Sequence, residues 1–407
     1  MKKQILFILM AVLPFCSPAQ KNYQALLKQY TKGFATAHDF TGALLVAKKG
    51  KVIYQESFGM ANREWSVANT LDTRFPIASL TKQFTAAAIL QLVEKGKLSL
   101  EDKLSRFYPD YPKGDSITIH MLLNHTSGIY NLLQDPAFTE MNANIPVEAL
   151  DDSSLVNIFQ HKPFDFSPGT YWRYSNSGYI LLGYIIEKIS GQSYRDYLTK
   201  NLFQKAGMHN SDLFRFDTIL PHRASGYSYT SKGWKNSRII NINVSFSAGG
   251  LFSTVHDLFK WQQALFAGKI IHDTSLAKMN RPNHEDRGAG YGVFVENLFG
   301  RKAIFHSGGL LGFCSYMISY PDDEISVIIL TNRDSNLDFL SKGLSAILFD
   351  KEVAIPYKHK AVSIDPILLK NYAGEYEGGN LPFPVNIIVK NNKLYQSLGR
   401  DIELLPE

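Results

Sequence analysis

The sequence predicts an α+β fold in which an antiparallel sheet is flanked by helices and takes its strands from both ends of the chain. Strand-like runs occur early, at residues 42–47 and 52–58, and late, between residues 290 and 331. Between them, residues 100–270 carry mostly the apolar period of helices. This order favours a sheet that both ends of the chain complete, with a helical lobe inserted in the middle.

The first elements follow from apolar spacing and from turn residues. Apolar side chains from Tyr23 to Phe34 recur at helical spacing and predict a helix over 23–37. The Lys- and Gly-containing turn at 48–51 joins the first two strands as a hairpin. Residues 84–93 are apolar on nearly all sides and end at Lys95-Gly96, which indicates a helix buried at the centre of the molecule.

The later elements divide into helices and then strands. Two clear helices are expected at 177–189 and 254–266, and a further helix at 335–349 closes this part of the chain. Strands are expected at 290–295, 302–305, 315–320 and 325–331, with a turn at 321–324 between the last two.

The domain organisation follows from changes in composition. The polar, proline-containing stretch 353–364 predicts a linker after a large domain at 20–352. The remainder, 365–407, predicts a short C-terminal β segment, with a hairpin turn at Asn391-Asn392.

Residues 1–19 predict a signal peptide, so we expect an exported protein, periplasmic or secreted. Lys2 and Lys3 precede an apolar stretch at 5–13, and small residues precede a cut before Gln20. Acylation at Cys16 is the alternative to cleavage. After cleavage Cys314 is the cysteine that remains, and its apolar surroundings predict a small buried hydrophobe rather than a nucleophile. No later segment approaches about 18 consecutive apolar residues, so we expect no membrane span in the mature chain.

Charge and motifs exclude several classes of function. The net charge is +6 without a basic run, which argues against a nucleic-acid partner. The chain contains no Gly-x-Ser-x-Gly elbow, no His-Glu-x-x-His, no phosphate loop and no dinucleotide fingerprint. We therefore expect no metal and no cofactor.

Ser79-Leu80-Thr81-Lys82 is the first candidate for chemistry. Three residues make nearly one helical turn, so the Lys82 amine reaches the Ser79 hydroxyl. Serine needs a base to become a nucleophile, and burial lowers the pKa of a lysine toward the range in which it accepts a proton. The spacing also arises by chance, and Ser275-Leu276-Ala277-Lys278 repeats it in a polar stretch that predicts a solvated helix surface.

Tyr174-Ser175-Asn176 is the one Tyr-x-Asn in the chain. It lies between a turn and an apolar helix, where side chains can face a cleft. A tyrosine there relays protons if neighbouring cations lower its pKa; the alternative is a packed tyrosine whose hydroxyl bonds to backbone.

His306-Ser307-Gly308-Gly309 follows a strand-like run and is the third candidate. Two glycines allow a ligand to approach the backbone, and the Gly309 N–H would donate to an oxyanion. His306 would bind a substrate carboxylate or move protons; the alternative is a histidine at a strand end before a glycine turn.

The order Ser-x-x-Lys, Tyr-x-Asn, His-x-Gly resembles that of the serine β-lactamases and penicillin-binding proteins, and is most similar to the class C β-lactamase and D-alanyl-D-alanine carboxypeptidase branch. The residues at 75–78, 122–129 and 247–254 also resemble segments of this family, and the resemblance covers about residues 35–350. The third motif begins with His306 where lactamases usually have lysine, and this histidine is found in carboxypeptidase-, aminopeptidase- and esterase-like members.

The resemblance implies roles for these residues. Ser79 is acylated, and Lys82 and Tyr174 share the roles of general base and general acid. Asn176 holds the amide side of the substrate. His306, Ser307 and Gly308 would line the substrate site, and the N–H groups of Ser79 and Gly309 would form the oxyanion hole.

We therefore expect an exported serine hydrolase that cleaves amide or ester bonds through an acyl-serine, with D-amino-acid peptides, such as a peptidoglycan stem peptide, as one substrate class. The alternative is a penicillin- or wall-binding protein that keeps the fold and turns over little. Ser79, Lys82 and Tyr174 are all present, which favours catalysis.

Overall fold

A computed structural model describes residues 22–135, 138, 152–215, 217–230, 232–238, 241–282, 288–358, 360, 362, 364–377, 384–397 and 401–404. The signal peptide predicted at residues 1–19 lies outside the described residues. By its internal contacts the chain divides into two compact units. The larger comprises Phe40–Ala354 together with the chain up to Thr31, and the smaller comprises Lys32–Asp39 together with the chain from Ile355.

A six-stranded antiparallel sheet is the centre of the larger unit. Its strand order is β10-β11-β12-β13-β1-β2, so strands from the two ends of the sequence lie side by side, as predicted. The strands are β1 (Gly42–Lys48), β2 (Lys51–Phe58), β10 (Phe294–Leu298), β11 (Arg301–Leu310), β12 (Phe313–Tyr320) and β13 (Ile325–Thr331). The α+β fold with an inserted helical part is confirmed.

Smaller sheets complete the strands of this unit. A hairpin joins β3 (Met60–Asn62) to β4 (Val67–Ala68), and another joins β7 (Tyr227–Thr230) to β8 (Gly233–Asn236). A three-stranded sheet has the order β5-β9-β6, from Phe75–Pro76, Leu251–Ser253 and Asp212–Leu213. It holds the chain just before Ser79.

The helices are, in chain order, α1 (Tyr23–His38), α2 (Thr81–Glu94), α3 (Ile119–Leu123), α4 (Asp152–Gln160), α5 (Asn176–Ser190), α6 (Tyr194–Leu198), α7 (Gln204–Ala206), α8 (Phe246–Gly249), α9 (Val255–Phe266), α10 (Asp273–Met279), α11 (Asp338–Leu348) and α12 (Pro366–Leu369). A π-helical turn, Thr199–Phe203, joins α6 to α7. In the part of the chain that the structure describes, none of these helices is both long and apolar enough to cross a bilayer.

Helix α2 lies in the centre of the core, as its continuous apolar sequence predicts. All its residues from Thr81 to Leu92 are buried. The ring of Phe84 stacks on Trp261 of α9, with ring centroids 4.1 Å apart. Helix α2 also packs against α5 and α8, which fixes its first turn from two sides.

Three sequence expectations about local structure are wrong. The strand expected at 290–295 begins at Phe294, because Gly292 has a left-handed backbone (φ +68°) pressed against α2, where a Cβ would lie 2.5 Å from the carbonyl oxygen of Lys82. Strand β11 does not end before His306 but continues through Gly309 to Leu310. Ser275, expected on a solvated surface, is buried on the inner face of α10, whereas Lys278 is exposed.

The smaller unit contains a four-stranded antiparallel sheet in the order β14-β15-β16-β17. Its strands are Gly374–Tyr376, Val385–Lys390, Lys393–Ser397 and Asp401–Leu404. Asn391 and Asn392 both have a left-handed backbone, as a two-residue hairpin turn requires.

Candidate active site

A strained turn presents Ser79 at the start of α2. Strand β5 pairs with β9, and the next N–H, that of Ile77, donates to the Leu251 carbonyl at 2.9 Å. Ala78 then takes a left-handed backbone (φ 46°), which is costly for a residue with a Cβ. The 3₁₀ turn Ala78–Leu80 leads directly into α2. The Ser79 side chain is therefore aimed by a backbone that is held on both sides, and it stays partly exposed.

Lys82 lies one turn later, and its side chain is fully buried (0% exposed). Its Nζ lies 3.1 Å from Ser79 Oγ, and it donates to Asn176 Oδ1 at 2.8 Å and to the Ala248 carbonyl at 2.7 Å. Burial lowers the pKa of Lys82 well below its usual value, because the charged amine would lose its hydration inside the protein. This is the direction that a general base requires.

Asn176 is the first residue of α5, and Asn131 fixes the orientation of its amide. Asn131 Oδ1 accepts from both the backbone N–H and the Nδ2 of Asn176, each at 3.1 Å. Asn131 Nδ2 donates to the Tyr174 carbonyl at 3.0 Å. Because Nδ2 of Asn176 is held by Asn131, its Oδ1 must face Lys82.

Tyr174 lies over Lys82, with the Nζ 4.8 Å from the centre of its ring. Its hydroxyl is buried and makes no hydrogen bond of regular geometry. Burial raises the pKa of Tyr174, and the neighbouring Ser79 hydroxyl only partly opposes the rise. The condition that neighbouring cations lower this pKa is not met, because desolvation by burial is the largest influence on the hydroxyl.

His125 supports Tyr174 from the other side. Its ring lies 4.5 Å from that of Tyr174, centroid to centroid, and its Nδ1 accepts the Ser175 N–H at 3.1 Å. An Nδ1 that accepts a hydrogen bond carries no proton, so the ring is neutral. Burial, with Lys82 and His306 nearby, lowers the pKa of His125 well below its usual value.

Strand β11 brings the third motif to the same place. His306 and Gly308 face inward, whereas Ser307 and Gly309 are exposed. A Cβ at Gly308 would lie 2.4 Å from the Ile77 carbonyl oxygen, so only glycine lets the strand pack against the turn that carries Ser79. A Cβ at Gly309 would meet nothing within 4 Å, which leaves the space above this residue open.

His306 lies beside Tyr174, with ring centroids 6.1 Å apart. Its Nδ1 is 2.5 Å from the Ser307 carbonyl oxygen, which places the ring proton on Nδ1. Its Nε2 is buried without a hydrogen-bond partner. Burial and the nearby Lys82 lower the pKa of His306 to about 3, so the ring is neutral.

The structure thus brings Ser79, Lys82, Tyr174, Asn176 and the strand 306–309 together, whereas the second Ser-x-x-Lys lies in α10 without such neighbours. Sequence reasoning missed Asn131, His125 and the Ala248 carbonyl. His125 lies in the 122–129 segment and Ala248 in the 247–254 segment. The family resemblance therefore pointed to both segments, but it did not predict the contacts that these residues make.

Among the described residues no group of three or more His, Cys, Asp or Glu side chains is arranged to hold a metal ion.

Comparisons with known proteins agree with this geometry. The family model described as "Beta-lactamase" matches residues 25–349. Penicillin-binding protein 4* of Bacillus subtilis is 29% identical, over 95% of this chain and 90% of its own length. The crystal structure of a penicillin-binding protein from Bacillus halodurans superposes with a TM-score of 0.69 at 32% identity, covering 79% of this chain and 98% of that one.

A D-stereospecific amidohydrolase from Streptomyces sp. is also similar, with a TM-score of 0.69 at 25% identity over 81% of this chain and 99% of that one. The fold, the motif order and these matches lead to one conclusion: the chain is a serine hydrolase and belongs to the beta-lactamase family.

Proposed function

We propose that the chain is an exported hydrolase that cleaves amide or ester bonds of D-amino-acid peptides through an acyl-enzyme on Ser79. The observation that carries this proposal is the set of three contacts around Lys82 Nζ. Two are with oxygen atoms, Asn176 Oδ1 and the Ala248 carbonyl, and the third is with Ser79 Oγ.

These contacts define the direction of proton transfer. A neutral amine has two N–H groups and one lone pair. The two oxygen acceptors use both N–H groups, so the lone pair faces the Ser79 hydroxyl, 3.1 Å away. Since burial lowers the pKa of Lys82 well below its usual value, it favours the neutral amine, which accepts the hydroxyl proton as Ser79 attacks.

The acylation step then proceeds at the partly exposed Ser79. Its Oγ bonds to the substrate carbonyl carbon while its proton moves to Lys82 Nζ, and negative charge develops on the carbonyl oxygen. The N–H groups of Ser79 and Gly309 are the proposed donors to that oxygen. Collapse of the adduct breaks the bond to the amine or alcohol, which leaves with a proton, and water then hydrolyses the ester on Ser79.

Tyr174 suits the role of proton donor to the leaving group. A raised pKa keeps its hydroxyl protonated at neutral pH. The hydroxyl lacks a regular hydrogen bond, so its proton is free to move to the leaving amine or alcohol. Lys82, which holds the proton taken from Ser79, would restore it.

The D-amino-acid substrate class is supported by the relatives. The Streptomyces amidohydrolase is described as D-stereospecific, and two relatives are penicillin-binding proteins. His306 in place of the lysine usual in lactamases favours peptidase or esterase chemistry over β-lactam hydrolysis. Export is supported by the sequence of residues 1–19.

Intact-mass measurement after brief exposure to benzylpenicillin tests the nucleophile, and D-alanine p-nitroanilide and p-nitrophenyl acetate test turnover. We expect an adduct or turnover with the native chain and neither with Ser79→Ala. The matched control is Ser275→Ala, the serine of the second Ser-x-x-Lys, which should behave like the native chain. An adduct that persists without turnover of any substrate would favour a penicillin-binding protein. Full activity of Ser79→Ala would refute the assignment.

A further inference from the structure

Two adjoining cavities lie on the surface of the larger unit, with volumes of about 670 and 570 Å³. Both are within the size range of small-molecule sites. They share four lining residues, Asn62, Trp65, Arg223 and Ser225, so they form one continuous depression, called the groove below.

One end of the groove adjoins the candidate active site. The smaller cavity is lined by Pro76, three residues before Ser79, and by Leu310 and Leu311, which follow Gly309 at the end of β11. A ligand bound at Ser79 that is longer than a single amino-acid residue can therefore extend into the groove.

Trp65 forms a wall between the two cavities. Its side chain is 82% exposed, although both preceding residues are held in place. The Arg63 guanidinium lies 3.3 Å from the centre of the Trp234 ring, and the Glu64 carboxylate accepts the Tyr227 hydroxyl. The Trp65 N–H donates to Asn62 Oδ1 at 2.7 Å. A large apolar side chain is thus presented to solvent on a fixed turn, which is unusual without a ligand to cover it.

The larger cavity continues this apolar surface. Val67 and Ile219, which line it, are 52% and 93% exposed. Together with Trp65 they make a patch that apolar parts of a ligand can cover.

The groove carries charges of both signs. Asp217 is paired with Arg215, whereas the Glu64 carboxylate accepts the neutral Tyr227 hydroxyl and keeps its negative charge. Arg223 is exposed and lies over the Phe214 ring at 5.9 Å, and among the described residues it forms no ion pair with an acidic side chain. A guanidinium stacked on an aromatic ring keeps its N–H groups free for a carboxylate.

We propose that the groove binds the distal part of an extended acidic peptide substrate, with apolar groups against Trp65 and a carboxylate on Arg223. The proposal rests on the hydrolase function proposed above and names its substrate class. The backbone sets the length: Arg223 pairs with Arg74, five residues before Ser79, a separation of at most about 17 Å along an extended chain. A peptide of several residues is therefore long enough to reach from Ser79 to Arg223.

Matched peptides that differ only in one carboxylate test the proposal. The first series is succinyl-(D-Ala)n p-nitroanilide against acetyl-(D-Ala)n p-nitroanilide, with one to four alanines. The second places the carboxylate beyond the scissile bond, as acetyl-(D-Ala)n free acids against their amides. Turnover is measured with the native chain and with the variants Arg223→Gln, Arg223→Lys and Trp65→Ala. Binding of the same peptides is measured by calorimetry on these variants combined with Ser79→Ala.

In one of the two series we expect the protein to bind and cleave the longer peptides better when they carry the carboxylate. Arg223→Gln should lose about fivefold in kcat/KM and in affinity for that form only, and Arg223→Lys should recover part of it. Trp65→Ala should weaken the long peptides of both forms and leave the shortest unchanged. Arg301→Gln, which removes a surface arginine paired with Asp323, is the control and should change nothing.

Equal affinity and turnover for charged and uncharged peptides in both series would overturn the proposal, as would a carboxylate preference that survives Arg223→Gln. If the Ser79→Ala protein shows the Arg223-dependent preference while the native chain turns over no peptide, the groove is established and the proposed hydrolase function is refuted.

Discussion

Asn176→Asp is the sharpest test of the neutral-lysine mechanism. Asn176 Oδ1 lies 2.8 Å from Lys82 Nζ, inside the protein. Aspartate has nearly the same shape as asparagine, so the substitution adds a negative charge next to the amine, and it also replaces the Nδ2 donor to Asn131 by an oxygen. A carboxylate at this distance favours the ammonium form, so we expect the pKa of Lys82 to rise.

The size of the rise follows from the distance. Two unit charges 2.8 Å apart at an effective dielectric constant of about 20 attract each other by about 6 kcal/mol, or about four pKa units. The mechanism needs the neutral amine. At pH 7 the neutral fraction should therefore fall by up to about four orders of magnitude, and kcat/KM with it.

The assay is kcat/KM against pH for a small ester, from pH 5 to 11. The rate depends on a deprotonated amine, so it rises as pH increases through the pKa of Lys82. In Asn176→Asp this rise should move several pH units higher, and activity should recover toward the native value at the alkaline end. Asn176→Leu removes the same acceptor without adding charge, so its profile should not move upward. If Asn176→Asp is inactive at every pH, or its rise stays at the native position, Lys82 is not the base that the profile reports.

Three further predictions concern the surroundings of the nucleophile. Gly308→Ala should destabilise the protein by about 2 kcal/mol or more and reduce activity, because its Cβ would meet Ser315 Oγ at 2.3 Å, whereas Gly309→Ala should melt like the native chain in a thermal scan. Tyr174→Phe should lower kcat at least about a hundredfold without lowering the melting temperature, since the lost hydroxyl has no regular hydrogen bond; a large fall in melting temperature would contradict this. The folded-state pKa of His306, about 3, lies below its unfolded value, so the unfolded chain binds the extra proton between these pH values. Stability should therefore fall as pH drops from about 6.5 toward 3, and His306→Gln should flatten that fall in urea titrations at several pH values.

Much of the fold could be predicted because apolar periodicity and capping residues are local signals. Helix α5 begins after Ser175, whose hydroxyl accepts the Gly178 N–H, and α9 begins after Thr254, which accepts from Asp257. Both starts agree with the sequence pattern to within a residue or two. The central sheet also follows from local strand signals at the two ends of the chain.

The errors arose where contact with another element decides the local structure. Residues 306–309 form part of a strand because β12 pairs with them across the hairpin, although two adjacent glycines usually indicate a turn. Gly292 turns the chain because α2 lies directly against it. Helix α2 is distant from Gly292 in sequence, whereas β12 follows β11 directly.

The reactive residues could be predicted from their motifs, whereas the residues that orient them could not. Asn131 orients Asn176 through hydrogen bonds across 45 positions of sequence, and an isolated asparagine carries no pattern that predicts this. The pKa directions of Tyr174 and Lys82 both depend on burial, which exists only in the folded protein.

The pairing of β1 with β13 has a consequence for when activity can arise during synthesis. Gly42 pairs with Thr331, and β13 also holds β12, the partner of the strand that carries Gly308 and Gly309. Closing a loop of about 290 residues costs about 5 kcal/mol of chain entropy, and folds dominated by such contacts form slowly. A nascent chain that has emerged only as far as α9 has its serine and lysine but neither β12 nor β13 to complete the sheet. The surroundings of the nucleophile are thus completed only once β13 has been made, so a chain whose translation has not reached that strand is inert.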